Sequence, residues 1–253
     1  MAIRKVDAFI LKRIPFRDTS LLVTIFSLEQ GKLKLLAKGV RKDRKAVMGA
    51  FEPFSEVSVN YYEKLRSDIH LLSGISILNA NSDLRCELIQ FSYISYFSEL
   101  IDTLFGPHDP HPKFYAFLRK LVALLKVIRP EKLARLFEVR LLKEVGFLPV
   151  MDSCVSCGTV EPTPCYFSAK QGGVLCEKCE RKEAAAIPMT AEVLKWYHIL
   201  LEGVVDLKIA SEMDIQICGH LERIFRRFLE HRVDFPLRSR RFLSEVQSFL
   251  QQK

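Results

Sequence analysis

The pattern of apolar and polar positions changes character near residue 81. Up to that point the apolar residues come in short runs or at every second position, as half-buried strands require. Val6 to Ile14 mixes β-branched and aromatic residues, and Pro15 ends the run. Leu21 to Phe26 forms a second run, and Glu29-Gln30-Gly31 reads as a hairpin turn with Gly supplying positive φ. Lys32 to Val40 is a third strand whose first residues alternate Lys and Leu, so one face is basic and the other apolar. Pro53 to Tyr62 alternates again, and Ile69 to Leu78 makes a fifth strand. Five short strands in about 80 residues predict a small barrel. An OB-fold fits this count and length, and an SH3-like barrel fits it too.

From Ser82 the spacing becomes helical. Leu84, Leu88, Phe91, Ile94, Phe97, Ile101 and Leu104 recur at three- and four-residue steps, with Ser82 as the expected N-cap. Phe105-Gly106-Pro107 ends that helix. Further helices are predicted over 111–128, over 130–145 from Pro130 to a Gly146 cap, and over 190–201 from Thr190. Another runs from Ser211 to His231, and a short one follows Phe235. Residues 181–187 read as a charged, Ala-rich connector. The fold class is therefore α+β, a five-stranded N-terminal barrel over residues 1–80 and a helical domain over 81–253.

One segment follows neither period. Cys154-Val155-Ser156-Cys157-Gly158 and Cys176-Glu177-Lys178-Cys179 form two Cys-x-x-Cys pairs in a loop-rich stretch at about 150–185. This spacing is a zinc signature. Zn²⁺ takes four tetrahedral ligands at about 2.3 Å from sulfur, and four Cys leave no open position for water, so one structural ion is expected at Cys154, Cys157, Cys176 and Cys179. A disulfide framework does not suit a chain that opens on a strand pattern without a signal-peptide core. A thioredoxin-like redox pair lacks its βαβ setting. Cys165 has no partner spacing, and Cys86 and Cys218 fall in apolar helical patterns, where Cys acts as a small buried hydrophobe.

Charge sharpens the picture. The net charge is +8. Residues 1–80 hold 14 Lys+Arg against 8 Asp+Glu, while the remainder is nearly balanced at 24 against 22. A basic barrel points to a polyanion. Lys32, Lys34, Lys38, Arg41, Lys42, Arg44 and Lys45, opposed only by Asp43, suit contact with phosphates. A solvated charged face is the plain alternative. Phe9, Phe16, Phe51, Phe54, Tyr61 and Tyr62 offer base-stacking surface, though most should be core. No phosphate-binding Gly loop, nucleophile elbow or His-Glu-x-x-His pair occurs, which argues against an enzyme. A nuclease assembled from distant carboxylates and a thiol oxidoreductase stay open, as does a zinc-ribbon, OB-fold RNA-binding or transcription factor. No run of 18 apolar residues suggests a membrane span, and a cytoplasmic location is expected.

Three passages carry a family resemblance. They are Phe16-Arg17-Asp18-Thr19-Ser20-Leu21-Leu22-Val23-Thr24-Ile25-Phe26-Ser27 with Gly31 to Arg41, Leu142-Lys143-Glu144-Val145-Gly146-Phe147-Leu148-Pro149 leading into Cys154, and Leu237-Arg238-Ser239-Arg240-Arg241-Phe242-Leu243. Together they resemble the bacterial RecO recombination mediators. The resemblance implies an OB-fold, a helical domain with an inserted four-cysteine zinc module, binding of single- and double-stranded DNA, and strand annealing. It also implies RecR and the acidic tail of single-stranded DNA-binding protein as partners, and RecA loading as the outcome. No small-molecule substrate is implied. Some family members lack the four Cys, so the resemblance does not make zinc essential to function. For the acidic tail the candidates are Lys113, Arg119, Lys120, Lys126, Lys132, Arg135 and Arg140.

Overall fold

The structure is a computed structural model that describes residues 2–41, 48–202, 212–233 and 236–251. The strands are β1 (Ile3–Phe16), β2 (Ser20–Ser27), β3 (Gly31–Ala37), β4 (Glu56–Tyr62) and β5 (Ile69–Asn79). They close into a barrel in the order β1-β2-β3-β5-β4. All neighbours are antiparallel except β3 and β5, which run parallel with Lys34 opposite Ile69. This topology is that of an OB-fold, the point on which strand counting was silent. β1 does not stop at Pro15. Pro15 pairs with Leu21 beside the hairpin turn, and the strand continues to Phe16.

Val6, Ala8, Ile10, Leu21, Val23, Ile25, Leu33, Leu35, Val57, Val59 and Tyr61 fill the barrel. The alternate residues Phe9 and Phe26 face outward and are also buried. They lie against Phe105, Phe114 and Tyr115, with ring centroids 5.0 to 6.5 Å apart. Burial on both faces explains why the middle of β1 and β2 reads as a continuous apolar run.

Those outer rings belong to helix α2 (Pro112–Leu124) and to the turn that joins it to α1 (Leu88–Leu104). Ser82 does not cap α1. Asn81, at φ 47°, donates from Nδ2 to the Phe54 carbonyl at 2.9 Å, and Ser82–Arg85 makes a short 3-10 turn first. A buried carboxylate joins barrel to helix: Tyr115 Oη donates to Glu56 Oε1 at 3.1 Å, and Arg119 Nε lies 2.9 Å from the same oxygen. The turn after α1 crosses the start of β3, with His108 N donating to Lys32 O at 3.0 Å. Gly31 permits this approach. It has φ 64°, and a Cβ there would sit 2.0 Å from the Asp109 carbonyl oxygen.

The remaining elements are α3 (Pro130–Glu144), β6 (Cys165–Ser168), β7 (Gly173–Cys176), α4 (Glu177–Glu180), β8 (Ile187–Met189), α5 (Ala191–Glu202), α6 (Ile215–Arg232) and α7 (Arg238–Gln251). Thr190 caps α5 as its sequence predicts, accepting from Val193 N at 3.3 Å. α6 is capped by Asp214, whose Oδ1 accepts from Gln216 N at 2.7 Å. Ser211 lies outside the described residues. The connector after Cys179 ends in β8, which pairs with β6 to give a sheet ordered β7-β6-β8.

The chain packs as two compact units, Met1–Lys126 with Leu237–Lys253, and Val127–Pro236. The helices expected over 81–253 are thus shared between them. In the first unit α7 packs on α1. Glu99 of α1 accepts from the backbone N–H groups of Arg238 and Ser239, at 3.1 and 2.8 Å, satisfying two of the orphan donors of the α7 N-terminus. In the second unit α3, α5 and α6 pack together beside the small sheet.

Candidate nucleic-acid interface and metal centre

The outer face of the barrel is divided. Phe26 and Lys32 are register partners, and both sit at the end covered by α1 and α2. The Lys32 side chain is only 12% exposed. Its ammonium donates to the Asp102 carbonyl and lies 3.6 Å from Asp102 Oδ1. Burial pushes its pKa down, with Asp102 opposing the shift. Lys32 therefore serves the protein's own structure here. Two residues on, Lys34 is exposed, and so is Lys38 just past the strand.

Two rows cross this face beyond Lys32, the first of them including the buried Thr24. Lys12, Thr24, Lys34 and Ile69 are successive register partners on β1, β2, β3 and β5. Next to them run Ile14, Leu22, Leu36 and Leu71, none of them fully buried. Phe16 follows Ile14 on the same strand face and is 37% exposed, with the Arg17 guanidinium 5.5 Å from its ring centre. Of the other aromatic candidates, Phe9, Phe51, Phe54 and Tyr61 are core, and Tyr62 is half-buried. Arg41 pins the chain leaving β3 to the β1–β2 turn, through its N–H on Thr19 O at 3.0 Å and Nη1 on Arg17 O at 3.2 Å. Lys42, Arg44 and Lys45 lie outside the described residues.

The arrangement combines exposed ammonium groups with an apolar, partly aromatic strip. The first suits phosphates and the second suits unpaired bases. The sequence pattern points to the lysines of β3 and not to Lys12, Ile14 and Leu22, which the register places beside Lys34, with Lys12 also 3.9 Å from Asp102 Oδ2. Their signal was present in the alternation of β1 and β2, but it was hidden by the double-sided burial of both strands.

The four predicted ligands come together. The sulfur atoms of Cys154, Cys157, Cys176 and Cys179 all lie within 4.8 Å of one another. Cys157 Sγ and Cys176 Sγ are 3.7 Å apart. Four sulfurs at about 2.3 Å from one ion stand about 3.8 Å apart in a tetrahedron, so the donor set fits a metal such as zinc. Local turns build it. Gly158 N donates back to Cys154 O at 2.8 Å with Gly158 at φ 76°, and Cys176 ends β7 where α4 begins and carries Cys179. The Cys157 thiol is lowered to about 6, first by its hydrogen bond with the Thr159 hydroxyl, while Cys179 is raised to about 11, where the Ser156 hydrogen bond is outweighed by those of Cys157 and Cys176.

None of the other three cysteines belongs to this cluster. Cys165 faces Cys176 in register but directs its thiol toward the Met189 carbonyl, and Cys218 is buried with its thiol on the Glu131 carbonyl at 3.3 Å. Cys86 is exposed, because it precedes α1 instead of sitting on the helix's apolar face.

Sequence models of the N-terminal and C-terminal domains of Recombination protein O match residues 1–81 and 85–241. The chain belongs to the RecO family of DNA repair proteins. It is 32% identical over 249 residues to the DNA repair protein RecO of Anaeromyxobacter sp. (strain Fw109-5), covering 96% of each chain. The relative of the same name from Shouchella clausii is 29% identical, with 96% of this chain and 95% of the relative covered. That from Syntrophus aciditrophicus is 28% identical, with 97% of each covered. The RecO match spans both the barrel and the cysteine segment. Among the described residues no helix is long and apolar enough to cross a membrane.

The helical candidates for an acidic tail fall in both compact units. Arg119 is paired with Glu56, Lys126 with Asp83 at 2.8 Å, and Arg135 is buried against Glu138 at 3.1 Å. Arg140 is half-buried, and burial lowers its pKa. Lys113 and Lys120 of α2 remain exposed.

Proposed function

We propose that this RecO-family protein is a cytoplasmic recombination mediator that binds single- and double-stranded DNA on the open barrel face. The observation that carries the reading is the juxtaposition of Lys34 and Lys38 with the Ile14, Leu22, Leu36 and Phe16 strip on an OB-fold. Lys34, Lys38, Arg41 and the 42–45 segment hold phosphates and reduce repulsion between two complementary strands. Phe16 and the adjoining strip give unpaired bases a surface before they pair. Base pairing then supplies the free energy of annealing, and no nucleotide is hydrolysed, so the protein acts without being an enzyme. Lys32 contributes through the barrel's own structure.

One zinc ion, held by Cys154, Cys157, Cys176 and Cys179, has a structural role. With RecR, and by engaging the acidic tail of single-stranded DNA-binding protein, this protein helps RecA onto coated DNA. Lys113 and Lys120 are the candidates on α2 for that tail. The test is annealing of complementary oligonucleotides with and without single-stranded DNA-binding protein, repeated after changing Lys34, Lys38, Arg41, Lys42, Arg44 and Lys45 to Ala. Unchanged annealing and an unchanged salt dependence of binding would overturn the placement. A preference for structured RNA would favour an RNA-binding factor instead.

A further inference from the structure

The barrel is the basic region that charge counting reveals, but a second one is hidden in a balanced segment. On α6 the side chains of Arg223, Arg226 and Arg227 are all exposed. They stand at positions i, i+3 and i+4 and therefore share one face. At about 1.5 Å rise per residue they span about 6 Å, close to two phosphate steps at about 3.4 Å each along one strand. His220 precedes them by three residues and His231 follows by four, both exposed, so the face continues for a turn in each direction. We infer that this face of α6 is a second nucleic-acid site, which holds the phosphate backbone of a second strand. The inference rests on the DNA-binding reading given above and adds a site that the reading does not contain.

Four observations support it. First, the three arginines outnumber the two acids at helix-neighbour spacing, Glu222 and Glu230. Glu230 lies 3.9 Å from Arg227, a long pair between exposed groups, and Glu222 is half-buried. Arg223 has only His220, Gly219, Arg226 and Arg227 as same-face neighbours, and like charges at such spacings weaken a helix. Second, the opposite side of α6 is already committed: Ile217, Leu221, Ile224, Phe225, Phe228 and Leu229 are buried in its own unit. The helix cannot also lay an apolar face on a membrane. Third, the arginine face offers little apolar surface: among the described residues of α6 the exposed large hydrophobic is Ile215, 47% exposed, in the first turn, and from Gln216 to Val233 there is none. An acidic peptide that anchors through an apolar side chain would have only Ile215 to rest on, whereas a phosphate backbone needs no apolar contact. Fourth, the cations are arginines, whose planar forks match phosphate oxygens in pairs. Annealing brings two strands together, and a protein with one backbone site in each compact unit can hold one strand on each.

The test uses the full-length, metal-loaded protein and a fluorescent single-stranded oligonucleotide, titrated by anisotropy at several salt concentrations. The wild type should show two binding steps. Replacing Arg223, Arg226 and Arg227 by Gln should leave the first step within about twofold. It should weaken the second at least tenfold and lower its salt slope by about 2, at about 0.7 per lost single-strand phosphate contact. The annealing rate should fall in parallel, and Lys at all three positions should restore most of it. Because the three side chains are exposed, retained metal content and circular dichroism will separate this loss from unfolding. A second step unaffected by the Gln substitutions, or a wild type with one step only, overturns the inference and leaves the barrel reading standing. A wild type with no binding overturns both. Poly-glutamate binding that the substitutions abolish, with both DNA steps intact, would assign the face to an acidic protein segment and overturn the inference as well.

Discussion

The barrel and the cysteine segment are both built largely of antiparallel strands, yet they differ in what can hold them together. The barrel has strands of 7 to 14 residues closed on themselves, so no edge is left unpaired and more than a dozen apolar side chains fill its interior. The sheet β7-β6-β8 has strands of 4, 4 and 3 residues. Its buried apolar residues are few, chiefly Phe167, Val174 and Leu175, and Phe167 completes its packing against Phe228 of α6 at 6.1 Å between ring centres. Three such strands bury too little surface to offset their own ordering entropy. On the zinc reading proposed above, the four thiols are to the small sheet what the apolar interior is to the barrel.

The largest effect should therefore follow from removing a metal ligand. Structural zinc contributes roughly 10–16 kcal/mol in isolated zinc-finger peptides, which is as large as the whole stability of a typical domain. Cys176→Ser should open residues 150–189 while the barrel persists. Hydrogen exchange followed by mass spectrometry checks this. Amides of β6 and β7 should lose protection, and those of β2 and β3 should keep it. Equal loss in both regions would show that the two do not stand independently.

The second effect falls on the other side of the comparison. Phe26 lies outside the barrel wall, against Phe105, Phe114 and Tyr115. Phe26→Ala should cost about 3–5 kcal/mol, as large-to-small core changes do. Urea unfolding measures it. Metal affinity, read by chelator competition, should be unaffected.

These two regions were not equally legible in the sequence. The cysteine module announces itself, because a four-thiolate metal site needs cysteines in pairs at fixed spacing. The barrel strands were legible from period two, but their closure was not. The parallel pairing of Lys34 with Ile69, which distinguishes an OB-fold, joins segments that no local pattern connects. The candidate basic site was half legible. The Lys-Leu alternation of β3 places Lys32 and Lys34 on one face, and only tertiary packing decides that α1 covers the first through Asp102 and leaves the second open. The arginines of α6 were overlooked for a different reason. Charge totals over the helical region cancel, and the excess emerges only when buried and exposed positions are separated.

The third prediction turns on that division of the barrel face. Lys34→Ala with Lys38→Ala should lower the salt slope of single-strand binding by about 1.4, at about 0.7 per phosphate contact, with little change in stability. Lys32→Ala should do the reverse. It removes the ammonium held by Asp102 and destabilises the fold, while the salt slope stays near that of the wild type. Anisotropy titrations at several salt concentrations, paired with urea curves, separate the two. A slope loss in the Lys32 variant equal to that of the double variant would erase the distinction between covered and open lysines.

The smallest effect is a pH dependence confined to the barrel unit. His70 of β5 is 3% exposed, with its ring 5.3 Å from Tyr61 and 5.4 Å from His108. Its Nδ1 accepts from Lys64 N at 3.2 Å, so the folded state uses the neutral ring. Burial lowers its pKa, and His108 adds to the shift while Glu63 and Asp68 oppose it. The sign follows from proton counting. Below about pH 6.5, the ordinary His value, the unfolded chain binds a proton that the folded chain resists. Stability is therefore fully present above that pH and declines as pH falls toward the lowered folded value. The urea midpoint of the barrel transition should drop as pH falls from about 7 to about 5.5, across that ordinary value, and His70→Gln should flatten the decline at the cost of some packing. The cysteine module lies in the other compact unit, so hydrogen exchange in β6 and β7 at fixed metal occupancy should show no His70-dependent change over the same range.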